Sequence, residues 1–225
     1  MTKEELLERY ESLGNEEDFL AARPLYEQAL AERADARVLR DYGYLLQCHG
    51  SRELRRAVDQ YERAIALDPD DDTVNYQLIF ARAALGEPEL AVDLYEQRLS
   101  ASPGDVREHR FLARAYLAAR AYDDAGRIVD AGLALAPDDA ALVEARGEVR
   151  AASGDPEGAL ADWRRALELD DRSISGLYST AFLLEREGRR AEAASTWEAI
   201  IAWNEARGYD LQIVWPREML ERLRS

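Results

Sequence analysis

The chain is short of the residues from which compact catalytic and metal sites are usually built. Its 225 residues include one cysteine, Cys48, and two histidines, His49 and His109. A single cysteine excludes an internal disulfide and fits a reducing compartment. Cys48 and His49 are neighbours, so on a helix their side chains diverge by about 100°. Together with His109 they form no convincing zinc set. A glycine-rich phosphate loop and a nucleophile elbow are both missing. No apolar run approaches the ~18 residues of a membrane span. The opening M-T-K-E-E-L-L-E-R-Y lacks the apolar segment of a signal peptide, and the cytoplasm is the expected compartment. Lysine is nearly absent as well, Lys3 being the single one, so the positive charge is carried by arginine. With 45 acidic against 29 basic residues the net charge is -16. That balance argues against a nucleic-acid backbone and against an anionic membrane surface as partners. It suits solubility through self-repulsion.

A repeat is what the chain does have. The stretch from Ala57, A-V-D-Q-Y-E-R-A-I-A-L-D-P-D-D-D, recurs in altered form from Ala91, Ala125, Ala159 and Ala193, each 34 residues after the last. A weaker copy precedes them at Ala21. A period of ~34 predicts stacked helix–turn–helix units, each packing on its neighbours and not around one central core. The expected organisation is one solenoid domain over 1–225, with repeats at about 2–35, 36–71, 72–105, 106–139, 140–173 and 174–207 and a last helix at about 210–224.

Local signals agree with that division. Leu6, Leu7, Tyr10 and Leu13 recur at helical spacing, and Gly14-Asn15 ends the first helix. Pro24 should delay or bend its partner helix. Gly43 stands in the apolar stripe of Leu39, Tyr42, Leu45 and Leu46, where a missing side chain lets a neighbour approach. Turns are expected at Gly50 to Arg52, Gly86-Glu87-Pro88, Gly154-Asp155-Pro156 and Glu187-Gly188-Arg189. Between repeats, the aspartates of Asp-Pro-Asp-Asp-Asp (68–72), Ser-Pro-Gly-Asp (102–105) and Ala-Pro-Asp-Asp (136–139) should cap the following helices. They lack the ligand alternation, central glycine and late glutamate of a calcium loop. The last helix is expected from Leu211 to Arg224, kinked at Pro216 or starting there. Leu211, Val214, Trp215, Met219, Leu220 and Leu223 would close the open end.

These residues resemble the tetratricopeptide repeat. The alanines at 57, 91, 125, 159 and 193 match one family position, and Tyr26, Tyr61, Tyr95, Val129, Trp163 and Trp197 match its large residue. Ala29, Ala64, Gly132 and Ala166 match a small position, and Pro69, Pro103 and Pro137 its terminal proline. The resemblance implies an all-α fold, a right-handed superhelical solenoid of antiparallel helix pairs. It implies a concave groove lined by the first helix of each pair, holding a peptide or another protein. No cofactor, metal or catalytic role is implied.

The groove stripe falls on Arg37, Arg40, Tyr44 and Gln47; on Thr73, Tyr76, Gln77 and Phe80; on Arg107, Arg110, Arg114 and Leu117; on Glu144 and Glu148; and on Ser175, Tyr178, Phe182 and Glu185. Arginine forks suit carboxylates, and the aromatics offer stacking surface. Some family members clamp a partner's C-terminal carboxylate. Arg40, Gln77 and Arg107 resemble three of the clamp positions, whereas Tyr44 and Phe111 occupy the others and Arg110 could substitute. An acidic or carboxylate-ended peptide is the ligand class this implies. A second reading stays open, in which the arginines form ion pairs between repeats: Arg114 with Glu144 or Glu148, and Arg37 or Arg40 with Glu8 or Glu11. The alternative function is assembly, as a self-associating or fixed subunit of a larger complex, through the convex face or an end rich in tryptophan, Trp197, Trp203 and Trp215.

Overall fold

A computed structural model describes residues 2–13, 16–33, 35–48, 51–171, 174–209 and 212–224, and their side chains except at 9–13, 16, 51 and 52. Its helices come in consecutive pairs: α1 (Lys3–Leu13) with α2 (Glu16–Glu32), α3 (Ala36–Cys48) with α4 (Ser51–Leu67), and α5 (Asp72–Ala84) with α6 (Pro88–Ala101). The series continues with α7 (Val106–Ala118) and α8 (Tyr122–Leu135), α9 (Ala140–Ala152) and α10 (Pro156–Leu169), and α11 (Ser175–Arg186) and α12 (Arg190–Glu205). A single α13 (Val214–Arg224) follows. No strand occurs among the described residues. The fold is an all-α array of helix pairs, as the period requires. It divides into two compact units, Met1–Ala101 and Ser102–Ser225.

Several helix starts are set by aspartate. Asp71 accepts the Val74 N–H at 3.2 Å, Asp105 that of Arg107 at 2.9 Å, Asp139 that of Leu142 at 3.0 Å and Asp155 that of Gly158 at 3.0 Å. Each satisfies a backbone donor that the first helical turn cannot. Pro156 follows Asp155 in the first turn of α10, where its missing N–H costs nothing. Pro24 lies inside an unbroken α2. The carbonyl it deprives of a partner belongs to Leu20, which is 60% exposed, so solvent can replace the lost bond. The calls at Gly14, Asn15, Gly50, Asp210 and Leu211 fall outside the described residues.

Large and small residues interlock where helices cross. In the first unit, a Cβ on Gly43 would lie 2.6 Å from the Tyr61 ring. In the second, a Cβ on Gly147 would lie 2.5 Å from the Trp163 indole nitrogen. Neither gap can hold an alanine without movement of the ring. The first unit's core joins Phe19, Tyr26, Leu39, Tyr42, Leu46, Tyr61 and Leu78. The second unit gathers Val129, Leu142 and Ala166, then Leu160, Trp163 and Leu184, then Trp197, Ile200, Met219 and Leu220.

The chain end differs from its expected form. The last helix begins at Val214, so Pro216 sits in its first turn and no kink is needed. Pro216, Met219 and Leu220 are buried, but Val214 and Trp215 remain 54% and 44% exposed.

Candidate functional site

Most of the expected stripe is left open by the neighbouring helices. In the first unit, α3 buries Leu39, Tyr42, Gly43, Leu45 and Leu46, which turns Arg37, Arg40, Tyr44 and Gln47 outward. On α5, Val74, Asn75, Leu78 and Ile79 are buried, Tyr76 and Gln77 are half-buried, and Phe80 is 49% exposed. Arg40 reaches from α3 to the cap of α5: its Nη1 donates to Asp71 Oδ2 at 2.9 Å, and its Nη2 to Asp41 Oδ1 at 3.0 Å. Burial pulls the Arg40 pKa down, but the bonds to Asp71 and Asp41 outweigh it and hold the guanidinium above its ordinary value. Arg37 is far more open, at 76% of its side chain, with Asp41 3.9 Å away. Gln47 accepts the Tyr61 hydroxyl at 2.9 Å, so its carbonyl is committed to the core.

In the second unit the same device recurs. Arg110 of α7 donates through Nε to Asp139 Oδ2 at 2.8 Å, and through Nη2 to the same oxygen. Asp139 is thus both the cap of α9 and the acceptor of an arginine from α7. Arg114 bonds Glu144 at 3.2 Å and also Glu148. Glu144 passes the chain on, its other oxygen accepting the Ser175 hydroxyl at 2.7 Å. A polar ladder therefore crosses α7, α9 and α11. Arg107 lies 3.6 Å from Asp105, the cap of its own helix. Two stripe assignments change here. Leu117 and Glu144 are buried, at 8% and 6%, because α9 covers the first and Arg114 with Ser175 envelops the second.

The ion-pair reading of the arginines thus has geometric counterparts. Arg114 meets both glutamates named for it. Arg40 finds Asp71 and Asp41 in place of the acids named on the first helix. The aspartate partners Asp71 and Asp139 lie between repeats, at the helix caps, and not on a helix face. Their signal was present in the spacing, an arginine 29 or 31 residues before an inter-repeat aspartate.

An aromatic group at the far end of the second unit completes the picture. Trp197 is fully buried and donates its indole N–H to Glu185 at 2.8 Å. Trp215 meets it edge-on at 5.2 Å between ring centres, and Phe182 meets Trp215 at 5.7 Å. Tyr178 stacks on Trp215 at 6.2 Å. Trp203 is held apart from this group, donating to the Asp171 carbonyl at 2.8 Å beneath the Arg207 guanidinium.

A family profile described as tetratricopeptide repeat matches residues 82–148. The crystal structure of a thermophilic tetratricopeptide repeat protein from Thermus thermophilus superposes with a TM-score of 0.63 at 22% identity, covering 83% of this chain and 100% of that one. The structure of a tetratricopeptide repeat protein from Parabacteroides merdae gives 0.55 at 16% identity, covering 98% and 93%. This is a tetratricopeptide repeat fold. No curated protein matches the chain.

The tetratricopeptide repeat is generally a scaffold for protein–protein interaction. Among the described residues, no three His, Cys, Asp or Glu side chains are grouped to hold a metal ion. No helix there is long and apolar enough to cross a membrane. The arrangement offers hydrogen-bonding arginine forks and exposed aromatic faces, the surface chemistry of recognition.

Proposed function

We propose that this chain is a non-catalytic scaffold, working in the cytoplasm, that holds a segment of a partner protein along the stripe of its first helices. The carrying observation is that Arg40 and Arg110, each about one-third exposed at 28% and 31%, already grip carboxylates with two donors. A fork in that geometry suits an acidic or carboxylate-ended segment. Such a ligand would exchange with Asp41 at Arg40, where Asp71 would stay as the cap of α5. Exchange of one carboxylate for another gains little, so salt should weaken binding, and apolar contact with Phe80 and Tyr76 must supply the rest. The net charge of -16 disfavours a nucleic acid in the same role.

The test is anisotropy of a labelled acidic peptide with a free C-terminal carboxylate, measured beside its amidated twin. The expected result is tighter binding of the free acid, a loss at high salt, and weakening in Arg37→Glu and Arg40→Gln of the first unit or Arg107→Glu and Arg110→Gln of the second. Equal binding of both peptides by every variant overturns the reading.

A second reading, assembly through the chain end, is favoured by Phe182 and Trp215. They are 47% and 44% exposed and in mutual contact above the buried Trp197. Adjacent exposed aromatics mark contact surfaces. Concentration-dependent mass that Trp215→Ser abolishes would support it.

A further inference from the structure

Three of the four tryptophans are tied through their indole nitrogens. Trp163 donates to the Glu144 carbonyl at 3.2 Å, Trp197 to the Glu185 carboxylate at 2.8 Å and Trp203 to the Asp171 carbonyl at 2.8 Å. Trp215 is the exception. Among the described residues its indole N–H meets no acceptor, and its ring is placed by contacts with other rings. A buried indole normally finds a partner for its N–H. Trp215 is 44% exposed and does without one.

That ring lies on the groove stripe of the last repeat. Tyr178 and Phe182 stand one turn apart on α11 and share a face. Each meets Trp197 edge-on, at 5.9 and 5.5 Å between ring centres. Trp197 is fully buried and bonded to Glu185, so the two rings stand on a fixed base. Trp215 stacks on Tyr178 with an interplanar angle of 21° and leans on Phe182 at 39°. Its cover is partial, since Phe182 stays 47% exposed. The segment that carries Trp215 is anchored without it. Ile213, Pro216, Met219 and Leu220 are buried. Arg190 donates to the Leu223 carbonyl at 2.7 Å, and Arg222 and Arg224 pair with Glu185 and Glu198. The indole can therefore leave by rotation of its side chain while the backbone stays in place.

We propose that Tyr178 and Phe182 form a ring-binding subsite at the end of the stripe, held by Trp215 as a built-in competitor, and that a partner segment enters by setting a tryptophan or phenylalanine side chain in the place of Trp215. This rests on the reading that a partner segment lies along the first helices. The chemistry of the incoming group is that of the group already seated there: an aromatic ring, stacked on one neighbour and tilted on another, with no hydrogen bond to lose on exchange. No charge is needed, because Glu185 beside the subsite is already bonded to Trp197 and Arg222. The tether sets a threshold. A group held in the same chain acts at an effective concentration of roughly millimolar, so a lone aromatic side chain competes poorly with Trp215. A segment that displaces it must also engage the stripe of the same unit, at Arg107 and Arg110.

The probe is N-acetyl-5-fluorotryptophanamide, an uncharged single ring, titrated with the full chain and followed by its fluorine resonance. Trp215→Ala should bind it roughly tenfold or more tighter than the parent. Adding Phe182→Ser should remove that gain, and N-acetylleucinamide should fail to displace the probe. Trp215→Ala should keep the helical circular dichroism of the parent. A second measurement needs no loss of the ring. The parent is grown with 5-fluorotryptophan, and its Trp215 signal is assigned through Trp215→Phe. Unlabelled N-acetyltryptophanamide at high concentration should move that signal and leave those of Trp163 and Trp203 in place. The proposal is overturned if folded Trp215→Ala binds no better than the parent, if the gain survives Phe182→Ser, if the leucine compound competes equally, or if the Trp215 signal does not respond. It is also overturned if the parent has the mass of a dimer that Trp215→Ala converts to a monomer, since a second copy is then the occupant. The probe carries no carboxylate, so its result and that of the acidic-peptide test can fail separately.

Discussion

The two compact units build one exposed bridge at the same place with opposite charges. In the first, Arg55 at the start of α4 bridges to Glu87, 32 residues on, at 2.8 Å. In the second, Glu157 at the start of α10 bridges to Arg189, also 32 residues on, at 2.6 Å. Position and reach are kept while the signs are exchanged. Inside the stripe no such exchange occurs: Arg40 to Asp71 and Arg110 to Asp139 have the same polarity in both units. The difference has a physical cause. An exposed bridge is nearly neutral in energy and either order of charges serves. A cap must be an acceptor, because the helix start presents N–H donors and a partial positive charge. Its arginine partner is therefore constrained in sign too. Where a bridge is free to vary it can also be dropped, as at Arg164 and Leu184, which stand where Glu62 and Arg82 pair in the first unit.

The units also differ in what fills the crossings, and this gives the largest expected effect. The first unit uses tyrosine, at 26, 42 and 61. All four tryptophans, at 163, 197, 203 and 215, lie in the second. Burial raises the Tyr42 phenol from near 10 to about 12, helped by its hydrogen bond to Glu27, and burial moves Tyr26 and Tyr61 upward as well. A phenol whose folded pKa exceeds its unfolded value contributes stability that is complete below about pH 10 and disappears as pH rises through the folded pKa. The first unit should therefore unfold in alkali before the second. Phenolate absorbance combines both units, the Tyr178 phenol of the second being raised by burial too, whereas loss of circular dichroism should precede any change in tryptophan emission, which reports the second unit alone. Simultaneous change in all three signals would show that the units do not differ in this way.

How far the sequence reaches can be judged from particular residues. The helix pairs, their aspartate caps and the close crossing at Gly43 follow from local chemistry and a repeating pattern, and those were legible. Leu117 and Glu144 were placed on the open stripe because a single helix's periodicity cannot tell what a neighbouring helix covers. Asp71 and Asp139 were read as caps and not also as arginine acceptors. A carboxylate has two oxygens, and only the one serving the backbone is implied by position in the chain. Trp215 was assigned to closing the end, yet burial passed to Pro216, Met219 and Leu220 once the last helix started at Val214.

A sharper comparison sets Gly43→Ala against Gly147→Ala. Both new methyl groups would enter a ring, Tyr61 at 2.6 Å and Trp163 at 2.5 Å. Overpacking of this kind costs about 1–3 kcal/mol, offset by about 1 kcal/mol of helix preference for alanine over glycine. Tyr61 is fully buried and fixed through its hydroxyl to Gln47, so it has no direction in which to retreat. Trp163 is held as well, its indole N–H donating to the Glu144 carbonyl at 3.2 Å, but it borders an open cleft between α10 and α12, which leaves it room to shift. Gly43→Ala should therefore destabilise by about 2 kcal/mol and Gly147→Ala by less than about 1 kcal/mol. Urea unfolding followed by circular dichroism would measure both, and equal losses would mean that the cleft gives Trp163 no slack.

The smallest effect concerns the turns between paired helices. Gly86 in the first unit takes φ +75°, a left-handed conformation that glycine enters freely. In the second unit the corresponding place after α7 is Arg120, at φ 59°. A side chain there costs about 1–2 kcal/mol, but a glycine forfeits about 0.4–1 kcal/mol through its larger unfolded-state freedom. The two terms nearly cancel, so Arg120→Gly should stabilise the second unit by only a few tenths of a kcal/mol up to about 1 kcal/mol. The reverse change, Gly86→Ala, meets the same conformational cost in the first unit and should destabilise it by up to about 1 kcal/mol once the unfolded-state gain is counted. Nothing lies within 4 Å of a Cβ on Gly86, so a loss there would be purely a backbone effect. Opposite signs in the two urea midpoints would show that the turn's backbone geometry, and not the arginine's charge, sets its stability. A destabilised Arg120→Gly would mean that the arginine side chain itself holds the second unit's turn.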